Sequence, residues 1–361
     1  MNPVKVSIIG AGSTYGIFLV KWALQLKYFP ESNRENVVVP PISSISFSNT
    51  TERSKNLVLE VLMNDLNHMS SFSSIDSEKI IQDVHGYTNW REMLLKENSQ
   101  FVIICSPVQT HVSYMRELLM DFKVKHILTE PPLSPLHEME SLKNLLSLAR
   151  EKDVKIGANH QYAFLYDRLK DVSLNPESKD KKTNKFGDLL TGLDGLDITF
   201  ITHGSRVWRK MQGVGEQEIL EDLGPHVFEL IPESLRNEKI TLKDVKKEGD
   251  NLFLNFVEYS LLFGSVPVRI TLGYHRKLKS MKLIFKKEKK DYEFYVSGAT
   301  NPETGEFTRW IEGKNYAYGF KHFLKVDLVK ASFISSLAGQ PIVPLEQGIK
   351  SLEFIHTLHS R

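Results

Sequence analysis

The sequence holds a single cysteine, Cys105, among 361 residues. One thiol cannot build an internal disulfide framework, and it excludes a cysteine-rich zinc site. An excess of one charge is missing too. The 46 lysines and arginines nearly cancel the 44 aspartates and glutamates, leaving +2. So small a net charge supplies no field to hold a polyanion, and nucleic acid is not expected as a partner. No apolar run approaches the about 20 residues that a membrane-spanning helix needs. The opening MNPVKVSIIGAG has a short apolar run that ends in glycines. It reads as a buried first strand and not as a leader, and a cytoplasmic location is expected. No HExxH, EF-hand, Walker-A or G-x-S-x-G pattern occurs. Metal-assisted and phosphoryl-transfer chemistry therefore have no support in the sequence.

What is present is a chain long enough for two domains, with an ordinary globular composition. The first half alternates apolar strands with amphipathic helices. Strands are expected at Val4–Ile9, Ile42–Phe47, Phe101–Cys105, His126–Thr129 and Val154–Gly157, and helices at Ile17–Leu26, Arg53–Leu66, His111–Phe122 and Leu136–Lys152. That alternation implies right-handed crossovers and a doubly wound parallel sheet over residues 1–157. Residues 158–361 change texture. Strand-like runs at Asp194–Thr202, Leu252–Phe263, Val266–Tyr274, Lys282–Lys287 and Asp291–Val296 are joined by tight turns. They imply an α+β domain with an open, mostly antiparallel sheet. Helices are expected again at Gly319–Leu337 and Leu345–Leu358. Loops are expected at Asn175–Lys185 and Asn301–Gly305.

The run Gly10-Ala11-Gly12-Ser13-Thr14-Tyr15-Gly16 follows the first strand and opens a helix. A first glycine permits a tight turn, a second lets a pyrophosphate approach the backbone, and the helix N-terminus offers free N–H groups. Tyr15 occupies the place of the third glycine of G-x-G-x-x-G. Either the loop is one residue longer, or Gly16 makes the close helix–strand contact. The second strand ends in Ser48-Asn49, with no acid to bind a ribose 2′-hydroxyl. Small polar groups followed by Arg53 suit a 2′-phosphate, so NADP(H) is favoured over NAD(H), although Glu52 could rotate in.

Three more segments matter: Cys105-Ser106-Pro107-Val108-Gln109-Thr110-His111, Thr129-Glu130-Pro131-Pro132-Leu133 and Asp222-Leu223-Gly224-Pro225-His226. With the glycine turn, their order and spacing resemble the glucose–fructose oxidoreductase / inositol dehydrogenase (Gfo/Idh/MocA) family across nearly the whole chain. The resemblance implies a Rossmann domain, then an α/β domain with an open sheet. It further implies hydride transfer between a nicotinamide and a small, often sugar-like, substrate in the interdomain cleft, and a homodimer or homotetramer. One departure stands out. The family's E-K-P lysine, a usual acid/base group, aligns with Pro131, which has no titratable side chain. Some relatives that reduce C=N or C=C bonds also resemble the family while lacking it. The departure therefore moves weight toward an imine or C=C reductase, or toward a cofactor-binding protein without turnover.

The expected cofactor contacts are Gly10, Gly12, Ser13, Thr14, Tyr15, Ser48, Asn49, Arg53, Ser106, Pro107, His111, Glu130 and Pro131. His111 could equally be an ordinary histidine at a helix start. Asp222 and His226 lie one turn apart if a helix already runs from Asp222. If the helix begins at Pro225, a favoured first-turn residue, Asp222 sits in the turn before it. Either way a carboxylate near imidazole suits a general acid. Tyr162 is a second possible donor, or a core aromatic. Arg206 and Trp208 would give an acidic or planar substrate a positive, aromatic rim, or are simply an exposed strand end. Cys105 ends an apolar strand with no activating cation nearby in sequence, so it is expected to be packed and unreactive.

Overall fold

In the computed structural model the described residues are 2–29, 38–68, 77–170, 185–202, 215–250, 253–274, 280–295, 299–300, 307–308, 312–314, 325–341 and 343–359. The chain forms two compact units. The first is Met1–His160 with Val329–Ile349, the second Gln161–Leu328 with Lys350–Arg361.

The first unit runs β1 (Val4–Ile9), α1 (Thr14–Tyr28), β2 (Ile42–Ser48), α2 (Glu52–His68), α3 (Ser77–Gln82), β3 (Val84–Tyr87), α4 (Trp90–Glu97), β4 (Phe101–Ile104), α5 (His111–Asp121), β5 (His126–Thr129), α6 (Met139–Glu151) and β6 (Lys155–Ala158). Late in the chain come α11 (Lys325–Leu337), β16 (Val343–Pro344) and the start of α12 (Leu345–His359). The seven strands lie in the order β16-β6-β5-β4-β1-β2-β3. All pairs are parallel except β16 with β6. A parallel sheet is covered on both faces, so its strands must be apolar on both sides. Phe101, Val102, Ile103 and Ile104 of β4 are accordingly all buried. On α1, Leu19, Val20, Ala23 and Leu24 have no exposed surface. Ser7 in β1 is buried as well, and it pairs at 2.7 Å with both Ser46 and Ser99. Strand order reverses between β1 and β4. In a doubly wound sheet the crevice at that point, beyond the carboxyl ends of the strands, is where ligands bind.

The expected strands Val4–Ile9 and His126–Thr129 are found with those bounds. Helix α1 begins earlier than expected, at Thr14, because the Ser13 side chain caps it by accepting the Gly16 N–H at 2.9 Å. Strand β3 and helix α4 are additions to the expected elements. Most of an anticipated insertion between Tyr28 and Pro41, residues 30–37, lies outside the described residues.

The second unit contains α7 (Leu165–Leu169), α8 (Phe186–Leu189), β7 (Gly195–Thr202), α9 (Glu216–Leu230), α10 (Glu233–Arg236), β8 (Ile240–Asp250), β9 (Phe253–Phe263), β10 (Val266–Tyr274), β11 (Ser280–Lys287) and β12 (Lys290–Tyr295). Short pieces β13 (Ala299–Thr300), β14 (Phe307–Thr308) and β15 (Glu312–Lys314) follow. The main sheet is ordered β15-β12-β11-β7-β10-β9-β8. Its pairs are antiparallel apart from β10 with β7. One face is apolar at every second residue, with Leu196, Ile198 and Phe200 of β7 and Val268, Ile270, Leu272 and Tyr274 of β10 all buried. Helix α9 packs against these two strands. Cross-strand ion pairs Lys286–Asp197, Lys282–Glu293 and Arg269–Glu258 mark the other face. The expected loops 175–184 and 301–305, residues 319–324 of an expected helix, and the strand ends Leu252 and Val296 lie outside the described residues.

Candidate functional site

In the first unit the glycine turn joins β1 to α1. Gly10 has φ +83°, a left-handed conformation that favours glycine. A Cβ there would stand 2.9 Å from the backbone of Cys105 and Ser106. The turn therefore lies directly against the one that leaves β4. At Gly16 a Cβ would come within 2.6 Å of the Ala11 Cα. Of the two readings the sequence allows, Gly16 is thus the close-packing glycine, displaced one place by Tyr15. The Gly10 and Ala11 N–H groups donate to the Ser48 carbonyl at 2.9 and 3.3 Å. The Gly12 N–H donates to Asn49 Oδ1 at 2.9 Å, and Asn49 Nδ2 donates to the Ser54 carbonyl at 3.1 Å. Asn49 is nearly buried and ties the glycine turn to the start of α2. The first turn of α1 holds no acidic residue, so its positive end is unopposed.

Around the same crest, Ser106 Oγ pairs with Thr110 Oγ1 at 2.7 Å. His111 is 2% exposed, and its two ring nitrogens face two carbonyls. Nε2 lies 2.8 Å from Ser106 O and Nδ1 3.0 Å from Pro132 O. The imidazole therefore sits between the turn after β4 and the turn after β5, and in its neutral form it donates to one of the two carbonyls. Burial pushes its pKa below the ordinary value, while the backbone carbonyls work in the opposite direction. Glu130, Pro131 and Pro132 are half-buried in the second turn, and Pro107 is exposed in the first. Burial, with the Glu130 carboxylate beside it, pushes the Cys105 thiol well up. A thiol so placed stays protonated and unreactive. The Tyr15 hydroxyl lies 3.5 Å from the Asn159 carbonyl oxygen. Burial, then Cys105 and Glu130, raise its pKa well above that of a free phenol, and the Asn159 side chain works the other way. Arg53 is exposed on the first turn of α2, and the neighbouring Glu52 carboxylate is engaged by Lys55 at 2.6 Å.

In the second unit, α9 runs continuously from Glu216, through Asp222 and Pro225, to Leu230. The Glu218 side chain secures its start by accepting the Gly215 N–H at 2.9 Å. A helix starting at Pro225 is therefore not found, and Asp222 and His226 share one face a turn apart. Asp222 Oδ2 accepts a hydrogen bond from the Tyr274 hydroxyl at the end of β10. Burial, together with this carboxylate, pushes the Tyr274 phenol far above its usual range. The His226 ring stacks flat on Phe200, with centroids 5.6 Å apart and planes at 5°. The Tyr162 ring meets it edge-on at 5.7 Å. Tyr162 is 1% exposed and also abuts Phe200. Tyr162 and His226 thus form one aromatic cluster. Arg206 and Trp208 lie outside the described residues. Sequence reasoning does not single out Tyr274. Its only signal there is its place at the end of an alternating strand.

The parallel sheet, its strand order and the glycine turn define a dinucleotide-binding Rossmann protein. Residues 49–160 match the oxidoreductase family Gfo/Idh/MocA, NAD-binding Rossmann fold. The match is confined to the Rossmann region and spans less than a third of the chain. No curated protein sequence matches it. Solved structures share the fold over the full length. A myo-inositol 2-dehydrogenase from Lactobacillus plantarum is 13% identical, with 99% of this chain and 97% of that one covered and a TM-score of 0.65. A UDP-N-acetylglucosamine 3-dehydrogenase from Acidithiobacillus ferrooxidans is 13% identical, with 100% and 97% covered and a TM-score of 0.60. A 3-ketoreductase from Actinomadura kijaniata, solved with NADP, is 14% identical, with 99% and 98% covered and a TM-score of 0.56. Among the described residues no helix is long and apolar enough to cross a membrane, and no cluster of side chains could hold a metal ion.

Proposed function

We propose that the protein is an NADP(H)-dependent oxidoreductase acting on a sugar-like or secondary-metabolite substrate. The observation that carries this reading is the turn from Gly10 to Gly16. It has a left-handed first glycine, a packing glycine too close to the Ala11 backbone for any side chain, and a helix end without acids. Those features fit a dinucleotide, whose pyrophosphate needs bare backbone and N–H donors. When bound, the nicotinamide supplies the chemistry of hydride transfer.

This chain's own residues then have separate tasks. Gly10, Gly12, Ser13, Thr14 and Tyr15 form the floor for the pyrophosphate and what lies beyond it. Ser48 and Asn49 set the turn in place, and Arg53 meets the 2′-phosphate. Support for the phosphate comes from β2, which ends without a carboxylate, and from Glu52, which Lys55 engages. Ser106, Pro107, Glu130 and Pro131 border the nicotinamide side, with His111 lying between their two turns. His226 is the proton donor or acceptor and Asp222 its charge partner, with Tyr162 a second donor. Pro131 leaves no lysine for alcohol oxidation, so reduction of a C=O, C=N or C=C bond is the favoured direction. The structural neighbours include sugar dehydrogenases and a 3-ketoreductase, which supports a polar, sugar-like substrate. We further propose a cytoplasmic homodimer or homotetramer. Arg53→Ala tests the cofactor assignment. NADPH affinity is expected to drop at least tenfold with NADH unaffected. Unchanged NADPH affinity would refute it.

A further inference from the structure

Tyr274, the last residue of β10, is 3% exposed, yet its hydroxyl ends on Asp222, which is exposed on α9. The register of the sheet explains why the two meet. Strands β10 and β7 run parallel, with Leu272 beside Phe200 and Tyr274 beside Thr202. Phe200, Leu272 and Tyr274 are all buried on the face that α9 covers. Four residues of helix rise about 6 Å, and two residues of strand rise about 6.6–6.8 Å. Helix and sheet therefore keep step over this stretch. Asp222 takes the Tyr274 hydroxyl, and one turn on His226 lies flat on Phe200. Of the elements packed on α9, the short turn Gln161–Phe164 brings Tyr162 edge-on to His226, β10 brings Tyr274 to Asp222, and β7 brings the uncharged Phe200. Rings on two sides thus hold the imidazole, while the carboxylate stands at the water boundary. A carboxylate so exposed is screened, and if free to turn it gives a neighbouring histidine little support. One fixed by a hydrogen bond stays in reach.

We propose that Tyr274 is a positioning residue for the proton-transfer pair: its hydroxyl fixes the Asp222 carboxylate within reach of His226, so that the imidazole keeps its proton nearer neutral pH. The inference rests on the reading of Asp222 and His226 given above and deepens it. Tyr274 suits the task because burial and the carboxylate keep its phenol protonated, so it remains a donor at every pH where an imidazole titrates. The same helix supplies a comparison. Tyr259 of β9 donates to Glu216 at 2.8 Å, and Lys247 engages that carboxylate too, at 2.5 Å. This second tie between sheet and helix lies at the first residue of α9, about three turns before His226. It fastens the helix without reaching the pair.

The test follows the ring resonances of His226 by NMR through a pH titration, in the full-length wild type, Tyr274→Phe, Asp222→Asn and Tyr259→Phe. No substrate is needed, and His226→Gln identifies the signal. The expected midpoint is about one pH unit lower in Tyr274→Phe, a fall close to that in Asp222→Asn. Tyr259→Phe should leave it in place. An unchanged or raised midpoint in Tyr274→Phe beside a lowered one in Asp222→Asn overturns the inference and leaves the Asp222–His226 pair standing. An unchanged midpoint in Asp222→Asn overturns the pair and the inference with it. Equal falls in Tyr274→Phe and Tyr259→Phe also overturn the inference, because the effect then follows the seating of the helix. Should Tyr274→Phe fail to fold, the wild type decides the matter. With tyrosine labelled at Cζ, the Tyr274 resonance is expected to move at the His226 midpoint, since one carboxylate serves both. A Tyr274 resonance constant across that midpoint would refute the shared carboxylate.

Discussion

Gly16→Ala sets two opposing effects against each other at the centre of the glycine turn. Gly16 lies in the first turn of α1, and alanine in a helix is favoured over glycine by about 0.8–1.0 kcal/mol. Were the position open, the variant would be more stable than the wild type. The position is not open. The new Cβ would lie 2.6 Å from Ala11 Cα, 3.0 Å from its carbonyl carbon and 3.1 Å from its oxygen. All three are backbone atoms, so no side chain can swing away. The turn or the helix start must move by most of an ångström, and overpacking of that kind costs about 1–3 kcal/mol. The clash outweighs the gain in helix propensity, and a net loss of up to about 2 kcal/mol is expected. Urea unfolding reads this directly, and in thermal unfolding it corresponds to a drop of up to about 4–8 °C. The displaced turn also carries the N–H groups offered to the pyrophosphate, so NADPH affinity should fall with stability. A variant more stable than the wild type would show that Gly16 does not make the close contact, and the reasoning for the whole turn would fail.

Glu229 has no exposed surface and its Oε2 pairs with Arg236 at 2.7 Å, so Arg236→Ala should destabilise the second unit by about 3 kcal/mol or more in urea unfolding; a loss under 1 kcal/mol would contradict the pair's importance. Burial holds the pKa of His111, and of His126, below the unfolded value of 6.5. Their stabilisation is therefore complete above that pH and is lost as pH falls below it through the lowered folded value, and His111→Gln should flatten part of that fall. An identical pH profile in the variant would contradict this reading of His111. Once a substrate is in hand, His226→Ala should cut turnover by about 100-fold or more, and equal activity would remove it from the chemistry.

The Rossmann unit is largely legible in the sequence because a covered parallel sheet demands apolar strands, and FVII of β4 can be little else. Strand β3, VHGY, is not legible. It is a short edge strand whose His85 and Tyr87 side chains bond the Glu97 carboxylate, so polarity hides it. Strand β8, ITLKDVKKEGD, escapes for the same reason, since edge strands carry lysines. The parallel pairing of β10 with β7 joins strands far apart in sequence, and no hairpin turn announces it. At the site, Gly10, Asn49 and His226 can be picked out by spacing. The Asn49–Gly12 bond, the His111 contacts and the Tyr274–Asp222 pair cannot, because each joins residues brought together only by the tertiary fold.

Everything proposed for function depends on the turn from Gly10 to Gly16 holding a phosphorylated nicotinamide dinucleotide. A fluorescence titration of the purified protein with NADPH, run beside one with NADH, asks that question without needing a substrate. Micromolar NADPH binding is expected, with NADH at least tenfold weaker. Binding of neither would contradict the assignment, and would mark a Rossmann fold that has left redox chemistry.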